Sequence, residues 1–197
     1  MTSETNRVRL MPTDWLTPLP LASLFPARQP LEVDVGSGKG RFLLARARAH
    51  PEVNFLGIER RLSRLRKVDR KAVRLGLANI RLLRMEAYYA TAYLIPAGAV
   101  RAYYVFFPDP WPKKRHQEHR LFNAAYLDAL QRTLEPGGQV HVATDHRPYF
   151  DTVAAGLRAD ARFTEVPPLE LAEEERTDFE LLFRGRVEIG RCSFRKR

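Results

Sequence analysis

Short apolar runs alternate with amphipathic stretches from Leu31 onward, and this alternation restricts the fold more than any other feature of the chain. The strand candidates are Leu31–Val35, Val53–Ile58, Ile80–Leu83, Arg101–Phe107, Gln139–Ala143, Phe163–Val166 and Val187–Phe194. The helix candidates are Arg41–His50, Leu62–Leu75, Glu118–Leu134 and Tyr149–Arg158. Strands that alternate with helices form βαβ units, so the sequence predicts an α/β fold with a doubly wound, mostly parallel sheet and helices on both faces.

Two segments interrupt this pattern. Pro136-Gly137-Gly138 is expected to stop the helix that precedes it, because proline and glycine break helices. In the last strand candidate, Val187 and Ile189 share one face, whereas Cys192 and Phe194 share the other. A β-bulge near Gly190 would explain that change of phase.

The length of 197 residues predicts one domain, or one domain with an appendage. Residues 1–30 contain five prolines and no sustained periodicity, so we expect an extended arm there and the folded domain over 31–197. No apolar run reaches the roughly 20 residues that cross a bilayer, and the N-terminal residues lack a secretory signal pattern. The single cysteine, Cys192, excludes a disulfide framework and a cysteine zinc site. We therefore expect a cytoplasmic protein without membrane association.

The chain is strongly basic, with 33 Lys and Arg against 23 Asp and Glu and a formal net charge of +10. Such an imbalance favours a polyanionic partner, of which a nucleic acid is the simplest. A basic enzyme without such a partner is the alternative.

A glycine-rich loop joins the first strand to the next helix, with the spacing G-x-G-x-G at Gly36, Gly38 and Gly40. A dinucleotide fingerprint would require glycine at position 41, where Arg41 stands. The loop therefore favours S-adenosylmethionine (SAM), which has no pyrophosphate and carries an amino group and a sulfonium that an acid such as Asp34 could face.

Two further acids follow strands at the same predicted edge. Glu59 comes after the second strand, where an acid commonly binds ribose hydroxyls, and Glu86 comes after the third, where it could accept from the adenine amine. Solvated acids at strand ends are the alternative for both. His116 and His119 lie among arginines, a setting that suits phosphate better than metal, so we predict no metal site.

The fourth strand leads into Pro108-Asp109-Pro110-Trp111, where the prolines restrict the backbone on both sides of Asp109. Ligands of open α/β sheets bind at the carboxyl ends of strands, so Asp109 is expected to face the crevice. A capped, proline-rich turn is the alternative. Trp111 could stack on a base or pack beneath the loop. Six basic or imidazole side chains follow, at Lys113, Lys114, Arg115, His116, His119 and Arg120. They predict a positive rim for a nucleic-acid substrate.

A second basic pattern lies on the helix after Glu59. Its members are Arg60, Arg64, Lys67, Lys71 and Arg74. The opposite, apolar face is formed by Leu62, Leu65, Val68, Ala72 and Leu75. The stripe could hold an RNA backbone or be a solvated helix face, and the sequence leaves both open.

Taken together, these motifs resemble the bacterial tRNA (guanine-N7)-methyltransferase family. The resemblance rests on the G-S-G-K-G loop, Phe55–Glu59, Phe106-Phe107-Pro108-Asp109-Pro110-Trp111 with Lys113, Ala143-Thr144-Asp145 and Thr177-Asp178-Phe179-Glu180. It implies a class I SAM-dependent methyltransferase fold whose last strand is antiparallel. It also implies SAM contacts from Asp34, Gly36, Gly38, Gly40, Glu59, Glu86 and Asp109, and tRNA contacts from Lys113, Asp145, Thr177, Asp178, Phe179 and Glu180. The family usually has Glu where Asp34 stands and Asp where Glu86 stands.

The implied activity is methyl transfer from SAM to N7 of a guanine in the tRNA variable loop. Asp109 is the expected catalytic residue, with Asp145 and Glu180 orienting the base and Thr177 supporting them. Three alternatives stay open at this point: a SAM-dependent amino-methyltransferase acting on another nucleic-acid base, an NAD-dependent oxidoreductase, and a non-catalytic RNA-binding module. The oligomeric state, monomer or homodimer, is not predicted.

Overall fold

The computed structural model of the protein describes residues 8–12 and 14–197, with the backbone alone for Lys114. Within these residues seven strands form one sheet in the order β3-β2-β1-β4-β5-β7-β6. The strands are β1 Leu31–Val35, β2 Asn54–Ile58, β3 Ile80–Leu83, β4 Val100–Phe106, β5 Leu134–Thr144, β6 Phe163–Val166 and β7 Gly190–Lys196. Strands β1 to β5 pair in parallel, whereas β7 is antiparallel to both of its neighbours. The predicted fold class, including the antiparallel last strand, is confirmed.

Helices cover both faces of the sheet. They are α1 Leu21–Leu24, α2 Arg41–Ala49, α3 Leu62–Arg74, α4 Ala87–Tyr89, α5 Ala124–Thr133, α6 Arg147–Ala159 and α7 Asp178–Leu182. A π-helical turn, Ala90–Leu94, follows α4, and short 3₁₀ segments cover Lys114–His119 and Glu173–Glu175. Helices α2 and α3 pack in one apolar cluster with β2 and β3, while α5 and α6 pack in another with β1, β4 and β5. In the part of the chain that the structure describes, no helix is long and apolar enough to cross a bilayer.

Two predicted details are wrong. The helix expected over Glu118–Leu134 begins only at Ala124, because the side chain of Asn123 caps it by accepting from the Tyr126 N–H at 3.0 Å. The bulge expected near Gly190 is not there, since β7 pairs with β5 in an unshifted register from Gly190 to Arg195. Val187 and Ile189 differ in phase from Cys192 and Phe194 because they precede the strand, which begins at Gly190.

The described part of the N-terminal segment packs against the domain. The Leu82 N–H donates to the Val8 carbonyl at 2.9 Å, and the Leu10 N–H donates to the Leu82 carbonyl at 2.8 Å, so this stretch extends the sheet beyond β3. Asp69 of α3 accepts from the Val8 N–H and from Arg9 Nε. The division into an arm of residues 1–30 and a domain of 31–197 stays a prediction, and residues 1–7 and 13 lie outside the described residues.

The glycine loop fits closely against α3. Gly40 caps α2 with a φ of 76°, and a Cβ there would lie 2.7 Å from both methyl carbons of Val68. Gly36 has a similar φ of 79°, but a Cβ there would meet no atom within 4 Å. The loop therefore needs glycine at position 40 both for its backbone conformation and for helix packing.

This difference yields a matched pair of variants. We expect Gly36→Ala to cost about 1–2 kcal/mol of unfolding free energy, the usual penalty for a left-handed alanine. Gly40→Ala should lose a further 1–3 kcal/mol or so, because its methyl group collides with Val68. Urea denaturation of both variants measures the difference, and equal losses would contradict the packing described.

Candidate active site

An open cleft of about 540 Å³ lies at the carboxyl ends of β1, β2 and β4. This volume is within the usual range for small-molecule sites. Gly36, Glu59, Glu86 and Asp109 all line it, so the structure brings together four residues predicted from separate motifs. The other predicted residues do not line this cleft; they are Asp34, Gly38, Gly40, Lys113, Asp145 and Thr177–Glu180.

Glu59 connects the glycine loop to the end of β2. Its side chain is buried, with Oε2 accepting from the Gly38 N–H at 3.1 Å and Oε1 accepting from the Arg61 N–H at 2.7 Å. A carboxylate has about four lone-pair sites, so both oxygens keep acceptor capacity toward the cleft. Glu59 thus fixes the loop and can still accept hydrogen bonds from a ligand.

Asp34 lies in β1, next to the glycine loop, and is only 5% exposed. Burial raises the pKa of its carboxyl to about 7, and the charge of Glu59 adds to the effect. Among the described residues, no hydrogen-bond donor contacts this carboxylate. Within the described part of the chain Asp34 is therefore a buried acid without a hydrogen-bond partner, and a cationic group nearby would favour its ionised form.

Glu86 has a structural role that the sequence analysis missed. Its two oxygens accept from the N–H groups of Tyr88 at 2.9 Å and Tyr89 at 2.8 Å, which caps the short helix α4. An acid immediately before a helix is the signal that could have indicated this cap. The contact with adenine stays a prediction.

Asp109 lies in a backbone turn with two unusual residues. Phe107 and Trp111 have φ values of 53° and 42°, in the left-handed region that bulky side chains rarely adopt. Such conformations cost about 1–3 kcal/mol each, and they cluster at functional sites. No signal in the sequence indicated them. Asp109 itself is exposed to the cleft, as its position after β4 predicted.

Contacts on both sides hold this turn. The Phe107 N–H donates to the Ala143 carbonyl at 2.7 Å, and the Phe107 ring lies 4.5 Å from that of Phe179. Arg120 Nε donates to the Pro110 carbonyl at 2.8 Å. The turn is therefore tied to β5, to α7 and to the basic segment that follows it.

The basic segment forms the rim on the β4 side. The Trp111 ring contacts the rings of His116 and His119 at centroid distances of 5.9 and 5.2 Å, and Trp111 and His119 line the cleft. Lys113 is exposed at the start of the 3₁₀ segment, while the side chain of Lys114 lies outside the described residues. Trp111 thus packs against histidines and still faces the cleft.

Asp145 is exposed directly after β5, the neighbour of β4. In α7, Thr177 and Glu180 form a capping box: Thr177 Oγ1 accepts from the Glu180 N–H, and Glu180 Oε2 accepts from the Thr177 N–H at 2.7 Å. The other Glu180 oxygen forms an ion pair with Arg191. Both oxygens of this buried acid are engaged, so its contact with a base stays a prediction.

A buried ionic contact that the sequence analysis missed joins α2 to the segment before α7. Nη1 of Arg46 lies 3.2 Å from both carboxylate oxygens of Glu175, and Arg46 Nε lies 3.6 Å from Glu32 on β1. Arg41 Nε donates to the Arg176 carbonyl at 3.0 Å. No spacing pattern links residues 129 positions apart, which is why the sequence did not indicate these contacts.

Comparison with known proteins places this geometry in a family. The family model described as "Putative methyltransferase" matches residues 28–181. A tRNA (guanine-N(7)-)-methyltransferase from Nitrosococcus oceani is 36% identical over 83% of this chain and 70% of its own length. One from Geobacillus kaustophilus is 38% identical over 79% of this chain and 71% of its own length.

Solved structures show the fold. The 16S rRNA methyltransferase KamB superposes with a TM-score of 0.62 at 19% identity, over 85% of this chain and 88% of its own. The antibiotic-resistance methyltransferase Kmr gives 0.61 at 20% identity, over 87% of this chain and 88% of its own. The architecture is that of the class I SAM-dependent methyltransferases, and the chain belongs to the tRNA (guanine-N7)-methyltransferase family.

Proposed function

We propose that this protein transfers the methyl group of SAM to N7 of a guanine in the variable loop of tRNA. One observation carries the proposal: Asp109 lies in a strained turn that lines the same cleft as Gly36 of the glycine loop and Glu59. The named activity of the relatives from Nitrosococcus oceani and Geobacillus kaustophilus supports the choice of substrate.

The residues present fit SAM. The glycine loop leaves space above Gly36, Glu59 keeps free lone pairs for ribose hydroxyls, and Asp34 offers a buried carboxylate that no described donor contacts. When bound, SAM supplies an electrophilic methyl group on a positively charged sulfur. We infer that Asp34 faces the cationic part of the cofactor and that Glu86 lies on its adenine side.

The remaining task of the protein is to position guanine. Guanine N7 carries a lone pair and no proton, so the chain needs no general base, and catalysis consists of orientation and electrostatic stabilisation. We propose that Asp109 accepts from the N–H groups on the guanine edge and stabilises the positive charge that develops on the base. Asp145, at the end of the adjacent strand β5, is the second acid that accepts from the same edge of guanine.

Within α7, Thr177 and Glu180 act mainly by holding the segment in place. Their capping box fixes the first turn of the helix, and the helix carries Phe179 against Phe107. We assign Asp178 and Phe179 to the surface that contacts tRNA.

The basic rim and the net charge of +10 suit a polyanionic substrate. Lys113, Arg115 and Arg120 follow the Asp109 turn directly, so they can contact phosphates next to the target base. A tRNA substrate also implies that the protein works in the cytoplasm.

Nucleoside analysis tests this function. The protein is incubated with methyl-labelled SAM and bulk tRNA, and the RNA is digested to nucleosides. We expect the label in 7-methylguanosine. Label on an exocyclic amine would instead indicate an amino-methyltransferase, and an RNA without label would contradict the proposal.

We expect Asp109→Asn to lower kcat by about 10²–10³-fold, the effect of removing one group that stabilises transition-state charge. The amide keeps the shape of the side chain, but it removes the charge and places a donor against the guanine N–H groups. SAM affinity should change much less, because the interaction strengthens only in the transition state. Single-turnover rates and calorimetry measure the two quantities.

The matched control is Asp151→Asn, which alters an exposed aspartate on α6 that pairs with Arg147. It should keep the wild-type rate. Wild-type turnover in Asp109→Asn would contradict the central role of Asp109 and move it to Asp145.

We further expect SAM affinity to rise with pH between about pH 5 and 7. With a pKa of about 7 in the free protein, the Asp34 carboxyl is protonated over most of this range, and it must lose that proton to face a cation. Binding near pH 6 should therefore release up to one proton from the site. Calorimetry in two buffers of different ionisation enthalpy measures the release.

Asp34→Asn should abolish this proton release, because an amide does not titrate. Asp151→Asn should retain it. The same release in wild type and Asp34→Asn would contradict the assignment of Asp34.

A further inference from the structure

Basic residues dominate the solvent-facing side of α3 and of the residues just before it, where Ser63 and Val73 are the other exposed residues of the helix. Eight basic residues are exposed there: Arg60, Arg61, Arg64, Arg66, Lys67, Arg70, Lys71 and Arg74. The acids of the same stretch, Glu59 and Asp69, are both buried. No acidic side chain of this stretch is left on its surface.

Both buried acids also accept hydrogen bonds from other parts of the protein. Asp69 accepts from the Val8 N–H at 3.0 Å and from Arg9 Nε at 3.3 Å, so its carboxylate is hydrogen-bonded to the N-terminal segment. Glu59 accepts from two backbone N–H groups and lies 3.7 Å from Arg64. Among the described residues, that is the one ion pair on this cationic face.

Such a face is unfavourable for the helix itself. Pairs of like charge three and four positions apart, such as Lys67 with Lys71 and Arg66 with Arg70, repel each other and destabilise an α-helix. The helix dipole favours cations only in the last turn, and so accounts for Lys71 and Arg74 but not for the residues before them. An anionic partner would remove the repulsion.

The cationic face leads directly into the cleft. Arg60, Arg61 and Arg64 line the cleft next to Glu59, and the 13 residues of α3 extend for about 20 Å away from it. Trp111 and His119, which belong to the Asp109 turn and to the basic segment that follows it, line the opposite side. Positive charge therefore flanks the cleft on the β2 side as well as on the β4 side.

We infer that the outer face of α3 binds the phosphate backbone of the tRNA substrate, as a second contact surface beside the rim at Lys113–Arg120. This inference rests on the proposed function. A membrane surface suits the helix poorly, because α3 buries Leu65, Val68 and Ala72 against the sheet and Val73 is its one exposed apolar residue.

The test uses the double variant Lys67→Gln with Lys71→Gln. Both lysines lie outside the cleft, and glutamine preserves helix propensity. Each phosphate contact contributes about −0.7 to −0.9 to the slope of log affinity against log salt concentration. We expect the slope for tRNA to become less steep by about 1.5 and the affinity to fall roughly tenfold at moderate salt, with SAM affinity unchanged.

The matched control is Arg28→Gln with Arg195→Gln, which removes two exposed charges elsewhere on the surface. It should leave the slope within error of wild type. A slope for the α3 variant equal to that of the control would overturn the inference. So would a variant that loses binding to phosphatidylserine vesicles while its tRNA affinity stays at the wild-type value.

A second measurement does not depend on any variant. Adding tRNA to the wild-type protein should slow amide hydrogen exchange in peptides that cover residues 62–74, and unchanged exchange there would also overturn the inference. Methylation of tRNA by the same wild-type preparation separates the two claims. If tRNA is methylated, but neither the salt slope of the α3 variant nor the hydrogen exchange of residues 62–74 changes, the proposed function stands and only the role of α3 fails.

Discussion

The site depends on a backbone turn that is held against its own conformational preference. Phe107 and Trp111, on either side of Asp109, both adopt left-handed conformations that cost about 1–3 kcal/mol each. The hydrogen bond from the Phe107 N–H to β5 and the contact of Arg120 with the Pro110 carbonyl oppose relaxation of the turn. These contacts hold the turn, and Asp109 with it, at the cleft.

The same turn is connected to the glycine loop through the protein interior. The Phe107 ring packs on Phe179 of α7, and the chain before α7 is held on α2 by the ion pair of Glu175 with Arg46. Helix α2 begins at Gly40, where the glycine loop ends. A continuous set of contacts thus joins the glycine loop to the turn that carries Asp109, which suits a reaction that depends on orientation.

The sequence predicted the fold well, because buried parallel strands are continuous apolar runs with clear boundaries. The bounds of β1, β3 and β6 agree with the expectation, and three cleft acids were found because the carboxyl ends of parallel strands share one edge. What the sequence did not indicate depends on local geometry or on contacts between separate parts of the chain. The side chain of Asn123 caps α5 only in the observed turn, and the engagement of Glu180 by Arg191 joins separate parts of the chain.

The central claim is that Asp109 positions guanine and accepts no proton during methyl transfer. Guanine N7 has no proton to lose, so the chemical step requires no proton transfer to the protein. The single-turnover rate of the wild-type protein, measured with tRNA at saturating SAM so that the ionisation of Asp34 no longer limits binding, should therefore be nearly constant from about pH 6 to pH 8. A rate that rises about tenfold per pH unit, or a bell-shaped profile centred near neutrality, would require a proton transfer in the chemical step and would contradict this account.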